Sequence, residues 1–273
     1  MWSSAEDLTK VGLGILRSTL MNPATTRQWL KPVSYTADMM AGVSSPWGTR
    51  RIRMPGPNPH RSITAFTKAG RTKHYLAVTS MLPDLGLGFT VLIAGNFTGA
   101  EGFNFLDYMG GTLIPAYDAA ARGQANATYG GLYESEDVED TWLEITTDPA
   151  KPGMGIAHWF SNGTNMLLVG LQLAAGVWDP PRQAAARLYY TGREAVAADN
   201  FKRQAFKAVF EDEGYPSRDQ VMPFSTDCAM WLSQTGVTYG SLPLDEFIFH
   251  FNPQGEVTAV ENIALRVVLK KVV

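Results

Sequence analysis

Residues Ile63–Ala94 read ITAFTKAGRTKHYLAVTSMLPDLGLGFTVLIA, and this stretch decides the architecture of the first half of the chain. Ile63 to Lys68 alternates in polarity, with Thr64, Phe66 and Lys68 on one face, the period of a half-buried strand. Tyr75 to Leu82 predicts a second strand. Pro83-Asp84-Leu85-Gly86-Leu87-Gly88 carries the residues of a turn. Phe89 to Ala94 is a continuous apolar run, which predicts a central strand covered on both faces. Three neighbouring strands with short connections make a β-meander.

Outward from the meander, the N-terminal side predicts helices. Ser3-Ser4-Ala5-Glu6 reads as a capping box, Ser3 accepting from the Glu6 amide while Glu6 reaches back. Leu8, Val11, Ile15, Leu16 and Leu20 follow on one helical stripe. Asn22-Pro23 restarts a helix, with Asn as N-cap and Pro at the first position. That helix carries Trp29 and Leu30 and stops before Pro32. Residues 33–61 are rich in Ser, Gly and Pro and predict a long loop holding the basic run Arg50-Arg51-Ile52-Arg53. Beyond the meander, a helix is expected from Asn104 to about Ala125, with Gly110-Gly111 weakening its middle by about 1 kcal/mol per glycine.

After Tyr129-Gly130-Gly131 the texture changes to short strands and turns. Expected strands are Trp142–Thr146, Gly155–Ser161, Met166–Leu173, Ala186–Tyr190, Arg203–Phe210, Cys228–Leu232, Glu246–Phe251 and Ile263–Lys271. Asn162-Gly163, Asp179-Pro180-Pro181 and Asn252-Pro253-Gln254-Gly255 separate them as turns. Evenly spaced short strands predict an antiparallel sandwich or a barrel-like sheet. The fold class expected is α+β, with domains at 1–128 and 129–273.

Composition excludes several functions. The 273 residues are 45% hydrophobic and 18% charged, so the chain can build a core and is not globally disordered. Lys and Arg number 23 against 26 Asp and Glu, without the basic excess of a nucleic-acid binder. No run of 18 apolar residues exists, so no membrane span is expected. The N-terminal residues lack a basic region followed by an apolar stretch; no signal peptide is read there, and a cytoplasmic location is the expectation. Cys228 is the single cysteine, and His60, His74, His158 and His250 form no metal-binding spacing. No glycine-rich phosphate loop and no Gly-x-Ser-x-Gly elbow occurs, so neither a metal nor a cofactor is expected.

The order of motifs carries a resemblance. Met1-Trp2-Ser3-Ser4-Ala5-Glu6-Asp7-Leu8 opens a helix, a strand ends in Thr67-Lys68-Ala69-Gly70, another ends in Leu82-Pro83-Asp84, and Gly88-Phe89-Thr90-Val91-Leu92 follows. Further along stand Trp159-Phe160-Ser161-Asn162-Gly163-Thr164, Leu188-Tyr189-Tyr190-Thr191-Gly192, Tyr239-Gly240, Leu244-Asp245-Glu246-Phe247 and Ala264-Leu265-Arg266-Val267. This series resembles the fungal serine β-lactamase-like and penicillin-binding-protein-like proteins that carry an extra C-terminal β domain. The resemblance covers nearly the whole chain. It implies a truncated β-lactamase-like domain, an antiparallel sheet plus helices, followed by a mostly antiparallel β domain. It also implies a Ser-x-x-Lys nucleophile upstream of the matching part. No substitute is found here: Ser3 is followed three residues on by Glu6, Ser18 by Met21, Ser62 by Ala65 and Ser80 by Pro83. An acyl-enzyme needs an activated hydroxyl beside a base, so covalent hydrolysis by this chain alone is not expected.

The resemblance places Lys68 at the pocket as a cation or proton carrier, matching the family's Lys-Thr-Gly triplet, with Gly70 structural. His74 departs from the family pattern at the pocket lip and is the second catalytic candidate. Tyr75, Trp29, Phe66 and Trp159 are the ligand-binding candidates, as aromatics of an apolar pocket; Trp2 and Trp47 are further aromatics of that kind. His158 reads as a core histidine. His250 reads as solvent-facing, since period 2 puts Phe247, Phe249 and Phe251 on the other face. The acidic run from Glu134 to Asp140 reads as a solvated face. Three glycosylation sequons begin at Asn96, Asn126 and Asn162, consistent with a secreted ancestor. The functional expectation is a β-lactamase-derived protein that binds a hydrophobic small metabolite and catalyses a noncovalent step, cyclisation or isomerisation, in fungal secondary metabolism. The alternatives are the C-terminal part of a serine hydrolase or esterase that needs its N-terminal half, and a non-enzymatic binding protein. A homodimer across the truncated side is expected; nucleic acid and membrane partners are not.

Overall fold

The computed structural model describes residues 3–54, 61–176, 183–196, 201–213, 231 and 236–272. Contacts divide the chain into two compact units, Met1–Ala121 and Arg122–Val273. Antiparallel sheets dominate both, with helices added to each, so the fold is α+β. Among the described residues no helix is long and apolar enough to cross a membrane.

The first unit opens with α1 (Ala5–Leu16). Its N-cap is Ser4, which accepts from the Asp7 amide at 3.1 Å, so the cap sits one residue later than the expected Ser3–Glu6 box. The expected stripe is also corrected: Ile15 is buried, but Val11 and Leu20 are 50% and 59% exposed. The sheet instead receives the face of α1 that carries Gly12 and Ile15, where a glycine lets the helix approach closely. In α2 (Pro23–Trp29), Asn22 caps as expected by accepting from the Ala24 amide at 2.8 Å.

The long loop expected over 33–61 contains three strands, β1 (Ser34–Tyr35), β2 (Ala41–Val43) and β3 (Gly48–Arg53). Pairing with β4 (Ser62–Thr72), from Gly48–Thr67 to Arg53–Ser62, overrides the loop-like composition. Arg50, Arg51 and Arg53 are exposed strand residues. Pro55, Pro57, Pro59 and His60 lie outside the described residues, as does Trp2.

The meander continues with β5 (Tyr75–Leu82), a 3-10 turn at Pro83–Leu85 closed by Gly86 at φ 62°, and β6 (Leu87–Ala94). The sheet runs β1-β2-β3-β4-β5-β6, all neighbours antiparallel. Here β6 is an edge strand, not the central one its apolar run predicts, and Leu92 is 43% exposed. Hydropathy reports how apolar a strand is and not how many neighbours it has.

A long helix, α3 (Gly99–Tyr129), exceeds the expected Asn104–Ala125 at both ends. A capping box explains the earlier start: the Thr98 amide donates to Glu101 Oε2 at 2.7 Å, and the Glu101 amide donates to Thr98 Oγ1 at 3.2 Å. Within the first unit, Ile114 of this helix packs with Met54, Ile63, Ala65 and Leu82. Arg61 clamps Asp118 with two hydrogen bonds, one at 2.9 Å, and both side chains are largely buried.

The second unit is a closed antiparallel sheet. Its strands are β7 (Gly131–Glu134), β8 (Trp142–Thr147), β9 (Met154–Ser161), β10 (Thr164–Asn165), β11 (Ala184–Val196) and β12 (Lys202–Asp212). After the small hairpin β13 (Thr238–Tyr239) and β14 (Leu242–Pro243) come β15 (Glu246–Phe251), β16 (Val257–Asn262) and β17 (Val267–Lys271). The order β9-β11-β12-β15-β16-β17-β7-β8 returns to β9 through a β8–β9 ladder, while β10 pairs antiparallel with the end of β9. Closure removes the sheet edges, the barrel solution to the edge problem. Tyr133, Leu143, Trp159, Phe210, Phe247 and Phe249 are all at most 1% exposed, so the interior is filled by side chains.

Several expectations are corrected in this unit. Met166–Leu173 is not a strand but α4 (Met166–Ala175). Asn165 caps it by accepting from the Leu167 and Leu168 amides, and Gly176 at φ 63° ends it. An apolar run without flanking charge fits a buried helix and a buried strand equally; the caps decide. Strands β7 and β16 were not expected, and Ile263–Arg266 is the turn before β17 rather than part of one strand. His158 is exposed, not core: Trp159 takes the inward position and His158 lies against Trp142 at 5.5 Å. His250 faces away from the Phe247, Phe249 and Phe251 side, as period 2 predicts, and meets Glu261 at 2.9 Å. The turns at 179–181 and the strand expected over Cys228–Leu232 lie outside the described residues, Trp231 excepted.

Candidate functional site

Register builds a surface on one face of the first sheet. Across β4, β5 and β6 the rows are Phe66–Met81–Gly88, Lys68–Thr79–Thr90, Gly70–Ala77–Leu92 and Thr72–Tyr75–Ala94. Partners in a row share a face, and so do alternate residues along a strand. The first row is covered: Phe66 and Met81 pack with Ile15 and Trp47, joined by Leu16, Trp29 and Leu30. The second row is a polar rung, with Thr79 Oγ1 and Thr90 Oγ1 3.3 Å apart. Beside it a groove of about 180 Å³ opens between α1 and the sheet, lined by Gly12, Leu13 and Leu16 on one side and Thr79, Met81 and Gly88 on the other. Pockets for drug-sized ligands are roughly 300–1,000 Å³, so this groove is smaller than such a pocket. In the third row Gly70 and Ala77 offer little side chain and Leu92 is 43% exposed, leaving the sheet open beyond α1.

The candidates fall as follows. Lys68 is exposed, has no ion pair among the described residues, and is the register neighbour of groove-lining Thr79. Tyr75 is 57% exposed on the same face, two rows further on. Phe66 is buried, and Trp29 meets Trp47 edge-on at 5.0 Å beside it. His74 sits in the β4–β5 turn, next to Lys73 at φ 47°, and its carbonyl accepts from the Gly95 amide at 2.9 Å. Trp159 belongs to the core of the second unit, T-shaped against Phe247 at 5.0 Å. One face of the first sheet thus gathers Lys68, Phe66 and Tyr75, with Trp29 over its covered part. No group of three His, Cys, Asp or Glu side chains suited to a metal occurs among the described residues.

A second cluster, which the sequence reading missed, lies in the second unit. Between Tyr190 and Glu194 strand β11 bulges: Thr191, Gly192 and Arg193 stand opposite the single Ala205. Gly192 takes φ 75°, and Thr191 Oγ1 donates to the Ala205 carbonyl at 2.8 Å. The bulge turns Glu194 onto the neighbouring strand. Its Oε1 accepts from the Tyr190 hydroxyl at 2.8 Å and from the Gln204 amide, and Lys202 Nζ lies 3.2 Å away. The Tyr129 hydroxyl donates to the other end of Gln204 at 2.5 Å. The Gln204 and Tyr190 hydrogen bonds hold the Glu194 carboxyl below its ordinary range, and burial with the Glu194 charge pushes the Tyr190 hydroxyl up. An isolated glycine inside a strand pattern is the one sequence signal that could have located this bulge.

One further buried charge stands apart. Asp245 is fully buried, with Lys207 Nζ 2.8 Å from Oδ2 and, among the described residues, no hydrogen-bond partner at Oδ1. Burial raises its pKa, against the pull of Lys207.

Known proteins place the chain. The family described as "Beta-lactamase-like-like, C-terminal domain" matches residues 121–273. A "Beta-lactamase-like protein" of Arthroderma benhamiae is 25% identical over 295 residues, an alignment that takes in 97% of this chain and 48% of that protein. The chain therefore spans about half the length of this curated relative. No solved structure matches. No serine anywhere in the sequence is followed three residues later by lysine, so the chain holds no Ser-x-x-Lys motif of its own. With the match running from residue 121 through the whole closed sheet to the C-terminus, this protein belongs to the β-lactamase-like family defined by that C-terminal domain.

Proposed function

We propose that this chain binds a hydrophobic small molecule on the α1 face of its six-stranded sheet and promotes a noncovalent step there, a cyclisation or an isomerisation. The observation that carries the reading is the polar rung Lys68–Thr79–Thr90 set beside an apolar groove. The groove takes the apolar end of the ligand, and Lys68 orients or protonates its polar end by charge and position. Tyr75 flanks the open part of the face with a hydroxyl. Without a Ser-x-x-Lys motif of its own, this chain does not itself supply that route to an acyl-enzyme. A fungal relative supports a fungal setting, within which we place the reaction in secondary metabolism.

A second reading is favoured by one observation, that the chain spans about half of its relative. In it, this face is one wall of a serine hydrolase site whose nucleophile lies on another segment. One pair of experiments tests the first. An apolar anionic dye, 8-anilinonaphthalene-1-sulfonate, is titrated against the wild type, Lys68→Ala and Gly12→Leu. Saturable binding weakened by both substitutions is expected; equal binding by all three proteins removes the site. A fluorophosphonate is then added and intact mass recorded. Stoichiometric labelling of this chain would overturn the noncovalent mechanism.

A homodimer would form along β6. That edge carries no charge, no proline and no bulge, the features that normally block strand addition. Two copies paired antiparallel there would bring no like charges together.

A further inference from the structure

We propose that the bulge cluster of the second unit is a binding site for an alkylammonium group, filled in the free protein by Lys202. The floor is aromatic. Phe206, Phe249 and Phe251 are at most 7% exposed, and Phe206 and Phe249 meet edge-on at 5.1 Å. Tyr190 tilts against Phe206 at 5.4 Å, and Tyr129 stands edge-on to Phe206 at 5.2 Å. Lys202 Nζ lies 5.5 Å from the centre of the Phe251 ring and 3.2 Å from Glu194 Oε1. A single ammonium is thus held between a ring face and a carboxylate, the two elements that recognise such cations.

The carboxylate is built for this. The bulge aims it, and the Tyr190 hydroxyl and the Gln204 amide fix Oε1. Tyr129 fixes Gln204 in turn. Among the described residues Oε2 has no partner, and the Glu194 side chain is 46% exposed, so an incoming cation can reach it. Lys202 is a replaceable occupant: its side chain is also 46% exposed, and a lysine stem swings to solvent without disturbing the strand. Arg193, on the same bulge, is engaged elsewhere with Glu246 and does not compete.

The test is saturation-transfer difference NMR with tetramethylammonium chloride, with sodium chloride matching ionic strength. Saturable binding to the wild type is expected. Lys202→Ala and Lys202→Gln, the latter keeping most of the stem, should both bind tighter, by about tenfold if the lysine is the competing cation. Glu194→Gln and Phe251→Leu should bind weaker by a similar factor. Far-UV circular dichroism confirms that each variant is folded. Absence of saturable transfer in the wild type and in both Lys202 variants overturns the proposal. So does equal affinity of Glu194→Gln and wild type.

Discussion

Two glycine-to-alanine substitutions, identical in chemistry, should move stability in opposite directions. Both glycines are buried within helices packed on sheets, Gly12 in α1 and Gly170 in α4. A Cβ at Gly12 would meet only Thr79 Cγ2 at 3.9 Å, an ordinary contact. The helix-propensity difference of about 1 kcal/mol is then gained in full. For a unit near 100 residues that raises Tm by about 4 °C. A Cβ at Gly170 would lie 2.2 Å from Cε1 of Phe210, whose ring is 1% exposed and has no free space to yield. Overpacking of a core costs about 1–3 kcal/mol, which outweighs the propensity gain. The net expectation for Gly170→Ala is a loss of up to about 2 kcal/mol, recovered in part by adding Phe210→Leu. Thermal and urea unfolding followed by circular dichroism measure both. If Gly12→Ala proves destabilising, α1 does not lie over Thr79 as described, and the groove that supports the functional reading is lost with it.

Other substitutions probe the remaining features. Arg61→Ala removes the bidentate clamp on largely buried Asp118 and should lower stability in urea unfolding; Arg61→Lys should recover only part, because an ammonium cannot copy the fork. A full recovery by lysine would show that charge alone matters there. Asp245 has a raised pKa in the fold, so the native state holds its proton more tightly than the unfolded chain. Its contribution to stability is therefore fully present below the ordinary value of 3.8 and falls as pH rises towards the raised one. The stability difference between wild type and Asp245→Asn should shrink or invert over that interval, whereas a pH-independent difference would contradict the burial argument. Leu92→Lys puts a charge on the β6 edge strand and should convert a dimer to a monomer in light scattering; a wild type that is already monomeric at all concentrations rejects the edge pairing.

Legibility followed the range of the interactions. Strands β4, β5 and β15 were readable because alternation and turn residues are local, and Phe247, Phe249 and Phe251 do face inward. The N-cap at Asn22 was readable for the same reason. Strands β2 and β3 were not, because their identity depends on the ladders from β2 to β3 and from β3 to β4 and not on their own composition. Helix α4 was mistaken for a strand because its apolar residues carry no periodicity, and only the Asn165 and Gly176 caps distinguish it. Of the site, Lys68, Phe66 and Tyr75 could be named from the sequence, but Thr79 and Thr90 could not, since they join Lys68 only through register.

From the residues in order came the resemblance, the missing Ser-x-x-Lys pair, the meander and the β-rich second half, all properties of short windows and their sequence. Tertiary structure alone decided that the second sheet closes on itself, that β6 is an edge, and that Glu194 meets Tyr190, Gln204 and Lys202 beside a floor of phenylalanines. Those are facts of pairing between segments distant along the chain. No local window holds them, because the free energy that selects one register over another is spread across both strands and the core they share.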